Sequence, residues 1–389
     1  MATVNVTPGI LSWAREQIAM SQQEAAEKLG VQVERLAKWE QGKEKPTETA
    51  VNAMARVYKR PLALFFMEKL PRSQALPEDY RLRTVEGRPA ETSRELIVPI
   101  RQARAWQSII ARLAEYDETL VQAVRVPLAR LDQEPEAIAS ETRALLNVSY
   151  DEQLGWRGVD EGLATWRERV ESLGVLVFAM RLDREVCRGF SMWMDSGPPV
   201  IGLARESDQA RIFTLMHELT HLMLRTGGIC SEFEDHSQRG LVERFCNRVA
   251  AGVLMPRALI AAVVRSLFRD VTRYWSYENL EPVARALGVS IPATALRLEE
   301  LGMAQEGLYE DIVGRPAAEI QRRAGGGGGT KSWPGVRIAE RGTNYSKAVF
   351  DAWARRSITI ADAAQAMNMR AKYVPRIGEA VIRRQERRA

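Results

Sequence analysis

The chain is short of the residues that mark several common protein classes. Its 389 residues hold three cysteines, Cys187, Cys230 and Cys246. They show no Cys-x-x-Cys pair and are too few for a disulfide framework, which excludes a stapled secreted scaffold. No apolar run reaches the roughly 18 residues needed to span a bilayer. The opening MATVNVTPGILSWAREQ lacks the basic start and long apolar stretch of a signal peptide. The expectation is a cytoplasmic protein with no membrane partner. Charge is modest: net +5 with a pI near 9.1. That permits nucleic-acid binding without requiring it. Histidine is also scarce. There are three, His217, His221 and His236, and two of them sit four apart.

What is present describes an ordinary globular protein, 46% hydrophobic and 27% charged, long enough for two or three domains. Residues 1–75 read as a helical block, and Pro61, Pro71 and Pro77 punctuate its end. Residues 76–135 read as a helical connector, with Ile100, Ala103, Ile109, Leu113 and Tyr116 close to one face. From 136 to 310 helices mix with three short apolar stretches, VLVFAM, GFSMWMD and PPVIGLA, read as strands. Residues 311–389 hold the glycine linker AGGGGG and a helical tail ending in basic residues. The fold class is therefore mainly α with a small β-sheet, α+β. One pattern recurs: AAEKLGVQVERLAKW, VARALGVSIPATALRL and DAAQAMNMRAKYVPRI each predict helix, tight turn, helix. Their irregular spacing excludes a solenoid. The tail that holds the last of them leaves open whether Arg370, Lys372, Arg376, Arg383, Arg384, Arg387 and Arg388 touch nucleic acid or only water.

FTLMHELTHLML places the clustered histidines inside an apolar helix pattern. Residues four apart share a helix face, so His217 and His221 can point at one ion. Glu218 lies about 100° round from His217, where a carboxylate can take a proton from water held at that ion. Ser207 or Asp208 can cap the helix, and Gly227 and Gly228 can end it. A catalytic site of this type needs a third protein ligand. Leu224 and Gly227 stand where a metzincin has Gly and His, which excludes that class. His236, Asp235, Glu232 and Glu234 could reach inward from a polar loop. Glu243 in VERFCNRVAAGVLMP is the better candidate, on a second helix with Asn247 one turn further on to hydrogen-bond a ligating histidine.

RIFTLMHELTHLML followed by ERFCNRVAAGVLMP resembles the ImmA/IrrE family of metallo-endopeptidases, over roughly residues 150–300. The resemblance implies a zincin-like domain within 136–310 and one divalent metal, Zn2+ above all, held by His217, His221 and Glu243. It also implies peptide hydrolysis with Glu218 as general base and Asn247 supporting a ligand. Two departures stand out. Phe245 replaces an acidic residue frequent two positions before the Asn, and Cys246 stands where Ala is usual, a change expected to fit a buried helix. Tyr274, Tyr277 and His236 are unranked candidates for oxyanion stabilisation. The strand GFSMWM could add an extended substrate strand by β-pairing, or its Trp193 could be core.

SQQEAAEKLGVQVERLAKWEQGKEKPT carries a capping box at Ser21 and Glu24 and a turn glycine at Gly30. Val33, Leu36 and Trp39 face inward, leaving Gln32, Glu34, Arg35 and Lys38 projecting. The segment resembles the Cro/repressor-type (XRE) helix-turn-helix, within a five-helix domain. The resemblance implies that the second helix enters a major groove. Gln32, Glu34 and Arg35 then read bases of an operator, while Gln22 and Lys38 hold phosphates. Together these readings predict a transcription regulator fused to a zinc endopeptidase that cuts a regulatory protein, a repressor or antitoxin-like partner, with toxin–antitoxin operons among the family's settings. Its partners would be double-stranded DNA, a protein substrate or cognate toxin, and a second copy in a homodimer. Two rivals remain: a non-proteolytic XRE-type regulator or antitoxin whose metal fold is structural or sensory, and a hydrolase of a non-protein substrate.

Overall fold

Pro8 begins α1 (Pro8–Glu16) at a position where a helix needs no N–H partner. α2 (Gln22–Leu29) opens on a reciprocal cap. The Glu24 N–H donates to Ser21 Oγ at 3.2 Å, and the Ser21 N–H donates to the Glu24 carboxylate at 2.9 Å. It closes at Gly30, whose φ of +67° favours glycine. α3 (Val33–Glu40), α4 (Glu48–Val57) and a 3-10 turn (Leu62–Phe66) complete the five helical elements. They enclose a core of Ile10, Leu11, Leu36, Trp39, Val51, Met54 and Phe65. Arg15 holds α1 to α3, its Nε donating to Glu40 at 2.7 Å.

This computed structural model describes residues 3–18, 20–70, 84–85, 88–89, 94–183, 187–193, 197–226, 228–229, 238–268, 275–314 and 333–386. The chain divides into two compact units, Met1–Gln102 and Ala103–Ala389, and the division falls within α5 (Arg94–Tyr116). Before α5 lies a short hairpin of β1 (Thr84–Val85) and β2 (Arg88–Pro89). The α5 stripe differs from the expected one. Ile100, Ala103 and Leu113 are buried, but Ile110 replaces Ile109, and Tyr116 is 79% exposed. Trp106 and Ile110 follow the helical repeat from Ala103, whereas Tyr116 falls past the end of the buried stripe.

The second unit is built on a four-stranded sheet in the order β3-β5-β4-β6. Its strands are β3 (Leu176–Met180), β4 (Gly189–Met192), β5 (Val200–Ala204) and β6 (Gly228–Ile229). β3 and β5 run parallel, Leu176 opposite Val200, and β4 is antiparallel to β5 and β6. All residues of β3 and β5 are buried, so both read as unbroken apolar runs. β4 pairs on both sides, through Phe190 to Ile229 and to Gly202. Addition of a substrate strand to it is thereby blocked at that position, which corrects the sequence expectation.

α9 (Asp208–Met223) packs on this sheet, and α10 (Gln238–Leu254) packs on α9. Three buried polar side chains clamp the far end of α10. Arg143, on α6 (Pro135–Leu146), donates to Val253 O at 2.8 Å and to Gln153 Oε1 at 2.7 Å. Gln153, on the short α7 (Tyr150–Leu154), donates to Leu254 O and Leu287 O. Arg297 donates to Met255 O and forms a two-pronged pair with Glu136 at 2.6 and 2.8 Å. α6 approaches so closely that a side chain at Gly252 would meet Ala139 Cβ at 2.6 Å.

α8 (Val159–Glu171) covers α9, while α11 (Arg257–Leu267), α12 (Tyr277–Leu287), α13 (Ile291–Glu300) and α14 (Leu308–Val313) follow α10. Four further helices, Trp333–Arg341, Thr343–Ala354, Ile360–Met367 and Val374–Glu386, form the C-terminal extension. They are anchored rather than free. Arg167 donates to Ala339 O and Val177 O, and the buried Glu171 carboxylate accepts the Thr343 N–H at 3.0 Å. All three expected helix-turn-helix segments form, with Gly30, Gly288 and Asn368 taking the left-handed turn position. Among the described residues no single helix is long and apolar enough to cross a membrane.

The clamp predicts a stability loss. Arg297→Leu should lower the unfolding free energy by about 2–3 kcal/mol, since bonds to a charged partner are worth roughly 1.5–3 kcal/mol and Glu136 regains water. Denaturant titration of the full chain measures it; an unchanged midpoint would mean that the clamp does not hold α10.

Candidate metal centre and helix-turn-helix surface

α9 begins where Ser207 Oγ accepts the Ala210 N–H. Its end differs from the sequence expectation. The last helical residue is Met223, and Arg225, at φ +57°, takes the left-handed turn before either glycine. The Arg225 guanidinium stacks 3.9 Å from the Trp193 ring, and both side chains donate to Leu222 O at 2.7 Å. Trp193 is thus a helix-end cap, which accounts for it without a substrate role. One turn upstream, His217 and His221 are both buried.

The two rings turn their Nε2 atoms towards each other, 3.1 Å apart. Glu243, from α10, completes a triangle: Oε2 is 3.2 Å from His217 Nε2 and Oε1 is 3.6 Å from His221 Nε2. Each imidazole is braced from behind. His217 Nδ1 lies 2.8 Å from Asn247 Oδ1, and His221 Nδ1 lies 3.2 Å from Thr226 Oγ1. An N–H at Nδ1 donating to Asn247 leaves the Nε2 lone pair facing the triangle. Bonds of about 2.0–2.1 Å to a tetrahedral zinc-sized ion place donor atoms about 3.3 Å apart. The observed separations straddle that value, so the donors fit a divalent cation.

Charge supports the same arrangement. Burial alone would raise the Glu243 carboxyl, but hydrogen bonds from both imidazoles hold it far below the usual carboxylate range. Burial pulls the His217 imidazole down, and Glu243, the charge of Glu218 and the bond to Asn247 together outweigh it and raise the group. Without an ion the imidazole nitrogens share protons with the Glu243 carboxylate, and a cation bound between the same donors takes the place of those protons.

Glu218 is fully buried and contributes to the electrostatics of His217 and Cys246. Its position depends on a residue that the sequence reading passed over. A Cβ at Gly189 would sit 2.9 Å from Glu218 Oε1 and 2.5 Å from Thr214 Cγ2. An isolated glycine in a strand signals a close approach, but not what approaches. Thr226 was also passed over and left no signal beyond lying near the helix end. Cys246 is fully buried, and its sulfur lies within 4.8 Å of the ligand nitrogens of both histidines. Burial, then the charges of Glu243 and Glu218, raise this thiol. The candidate third donor is therefore either Glu243 or Cys246. Glu243 is favoured by its closer contacts and its stabilised negative charge.

Of the other expected site residues, His236, Asp235, Glu232, Glu234 and Tyr274 lie outside the described residues. Tyr277 packs in the core at the start of α12. In the N-terminal unit, Gln32, the N-cap of α3, and Glu34, Arg35 and Lys38 within it are exposed. Arg35 lies over the Trp39 ring and donates to Glu44 at 3.0 Å, an exposed pair of small worth. Gln22, expected to hold phosphate, already has a partner. It is half-buried, and its Nε2 donates to Glu40 at 2.7 Å, the same carboxylate that Arg15 grips.

The fold and the two sites define a helix-turn-helix protein with a peptidase-type pair of site helices. Residues 170–299 match the family model of the IrrE N-terminal-like domain, a peptidase family numbered M78, and residues 11–65 match that of the helix-turn-helix. No curated protein matches the chain. The two matches bear out the resemblance carried by the motifs: an XRE-type helix-turn-helix ahead of an ImmA/IrrE-like peptidase domain.

Gly189→Ala should displace Glu218 or Thr214, at a cost of about 1–3 kcal/mol for overpacking. The test is a melting curve of the purified variant; a melt identical to the parent would show that the Gly189 contact is not limiting.

Proposed function

We propose that the chain is a DNA-binding regulator whose second unit is a metal-dependent endopeptidase acting on a regulatory protein. The observation that carries this reading is the convergence of His217 Nε2, His221 Nε2 and the Glu243 carboxylate within 3.1–3.6 Å. In this reading those three side chains hold one divalent cation, and zinc suits the nitrogen-rich set. When bound, such an ion polarises a peptide carbonyl and makes water acidic enough to attack it. Asn247 and Thr226 fix the two rings by accepting at Nδ1. Glu218, next to His217 in sequence and shielded from bulk water, takes a proton from the attacking water and returns it to the leaving amine. Gly189 leaves the room that carboxylate needs.

The N-terminal unit supplies the address. α3 presents Gln32, Glu34 and Arg35 to base edges, and Lys38 to the phosphate backbone. Arg35 exchanges its exposed partner Glu44 for the groove at little cost. Gln22 is better suited to bracing Glu40 than to gripping phosphate, given the bond it already makes.

Two experiments test this function. Glu218→Gln should cut hydrolysis of a fluorogenic peptide library and of adjacent-gene products at least about 100-fold, the usual worth of a general base. Its metal content should stay near one ion per chain. Hydrolysis that is undiminished, or that survives a chelator, would remove the peptidase reading. For the first unit, Lys38→Ala should weaken binding to the chain's own upstream DNA evenly across sequences. It should also reduce the salt slope by about 0.9, one phosphate contact. Binding that ignores salt would refute groove docking.

A further inference from the structure

The donor set around the two histidines is larger than the proposed hydrolysis needs. α10 brings two donors to α9, not one. Glu243 and Cys246 are three residues apart, hence neighbours on one helix face. Glu243 comes from the rim, its side chain 20% exposed, and Cys246 comes from the interior with no exposure at all. The sulfur and the two imidazole nitrogens all lie within 4.8 Å of one another. Bonds of about 2.3 Å to sulfur and 2.0–2.1 Å to nitrogen require roughly 3.5 Å between those donors. The separations exceed that requirement by roughly 1.3 Å at most, within reach of side-chain rotation.

A buried cysteine is ordinarily a small apolar filler. The neighbours here are not those of a filler: two imidazoles and, close enough to act on the thiol, the carboxylates of Glu243 and Glu218. Cys187 offers the contrast within the same unit. Its thiol donates to Gly189 O at 2.8 Å and stands outside the cluster.

Resting on the metal reading of the preceding subsection, we propose that Cys246 is a fourth protein donor to the cation held by His217, His221 and Glu243. The resting site is then closed, and it opens to water and substrate only when the sulfur leaves the ion. Coordination forms the sulfur–metal bond and releases the thiol proton to solvent; no electron changes hands. A set of two imidazoles, one carboxylate and one thiolate selects a borderline-soft cation such as zinc or cobalt over magnesium or calcium. The peptidase domain of this chain would then carry its own brake. Peptide hydrolysis by the zinc-loaded protein should be slow until the thiolate is displaced, and faster in Cys246→Ala.

The test is X-ray absorption on the full-length, zinc-loaded protein. The expected spectrum has one sulfur scatterer at about 2.3 Å beside nitrogen and oxygen at about 2.0–2.1 Å. The sulfur shell should persist in Cys187→Ser/Cys230→Ser, which leaves Cys246 as the single cysteine. It should vanish in Cys246→Ala while zinc stays near one per chain. The cobalt-substituted protein should show a near-ultraviolet thiolate charge-transfer band that follows the same pattern. A shell of nitrogen and oxygen alone would overturn the proposal and leave the three-ligand site standing. A sulfur shell that survives in Cys246→Ala would assign the thiolate elsewhere and overturn it too. Protein that binds no ion at all would sink both this proposal and the metal reading beneath it. Should Cys246→Ala fail to fold, the single-cysteine variant decides alone.

Discussion

Two imidazole nitrogens held 3.1 Å apart, with a carboxylate against both, are the constraint around which the second unit is organised. Left to themselves, α9 and α10 would separate enough to let water between those groups, because buried polar atoms resist partial desolvation. Opposing that separation is the apolar packing of α9 on the sheet and the clamp on the end of α10. Arg143, Gln153 and Arg297 each satisfy backbone carbonyls that a helix end would otherwise leave bare. The clamp acts at the end of α10 remote from Glu243. It fixes the axis of the helix, and with it the point to which Glu243, Cys246 and Asn247 are delivered.

The same economy of local rules shapes the sheet. β4 is an inner strand, and its glycine makes room for Glu218. β5 carries a second glycine, Gly202, against which the Phe190 ring lies so closely that a Cβ would meet it at 2.4 Å. Small residues in two adjacent strands therefore leave room for the Phe190 ring beside β5 and for the Glu218 side chain beside β4. β-propensity alone would not select glycine in either place.

The site was legible to the extent that its chemistry is written in short spacings. His217 and His221 are four apart, and Glu243 and Asn247 repeat that interval on a second helix, so each pair shares a face before any coordinates are known. The capping box of Ser21 and Glu24 and the turn at Gly30 were equally plain. What could not be read depends on contacts between elements distant in sequence. Gly189 matters because of Glu218, 29 positions away, and Thr226 because the helix turns at Arg225 rather than at the glycines. The bond from Gln22 to Glu40 was hidden for the same reason, since Glu40 lies on another helix. Tyr116 failed for a local reason, since a periodic stripe does not announce where burial stops. Cys246 suits a buried helix by residue type, and the two imidazoles beside it come only with the approach of α9.

The helix-turn-helix geometry occurs three times among the described residues, and the repetition shows how little the motif alone says about DNA. A capped eight-residue helix, a left-handed turn residue and a second helix recur in α2–α3 and near Ile360–Met367 because local hydrogen bonding favours them. The differences lie in what the second helix does with its outer face. α3 leaves Gln32, Glu34, Arg35 and Lys38 in solvent. α13 instead turns Arg297 inward, to Glu136 and the Met255 carbonyl, and so serves the clamp on α10. A residue type that could grip phosphate on one helix is buried as a structural tie on another. The family match over residues 11–65 and the exposed face of α3 coincide in the N-terminal unit alone. That coincidence, rather than the fold of the motif, is what supports α3 as the proposed recognition surface.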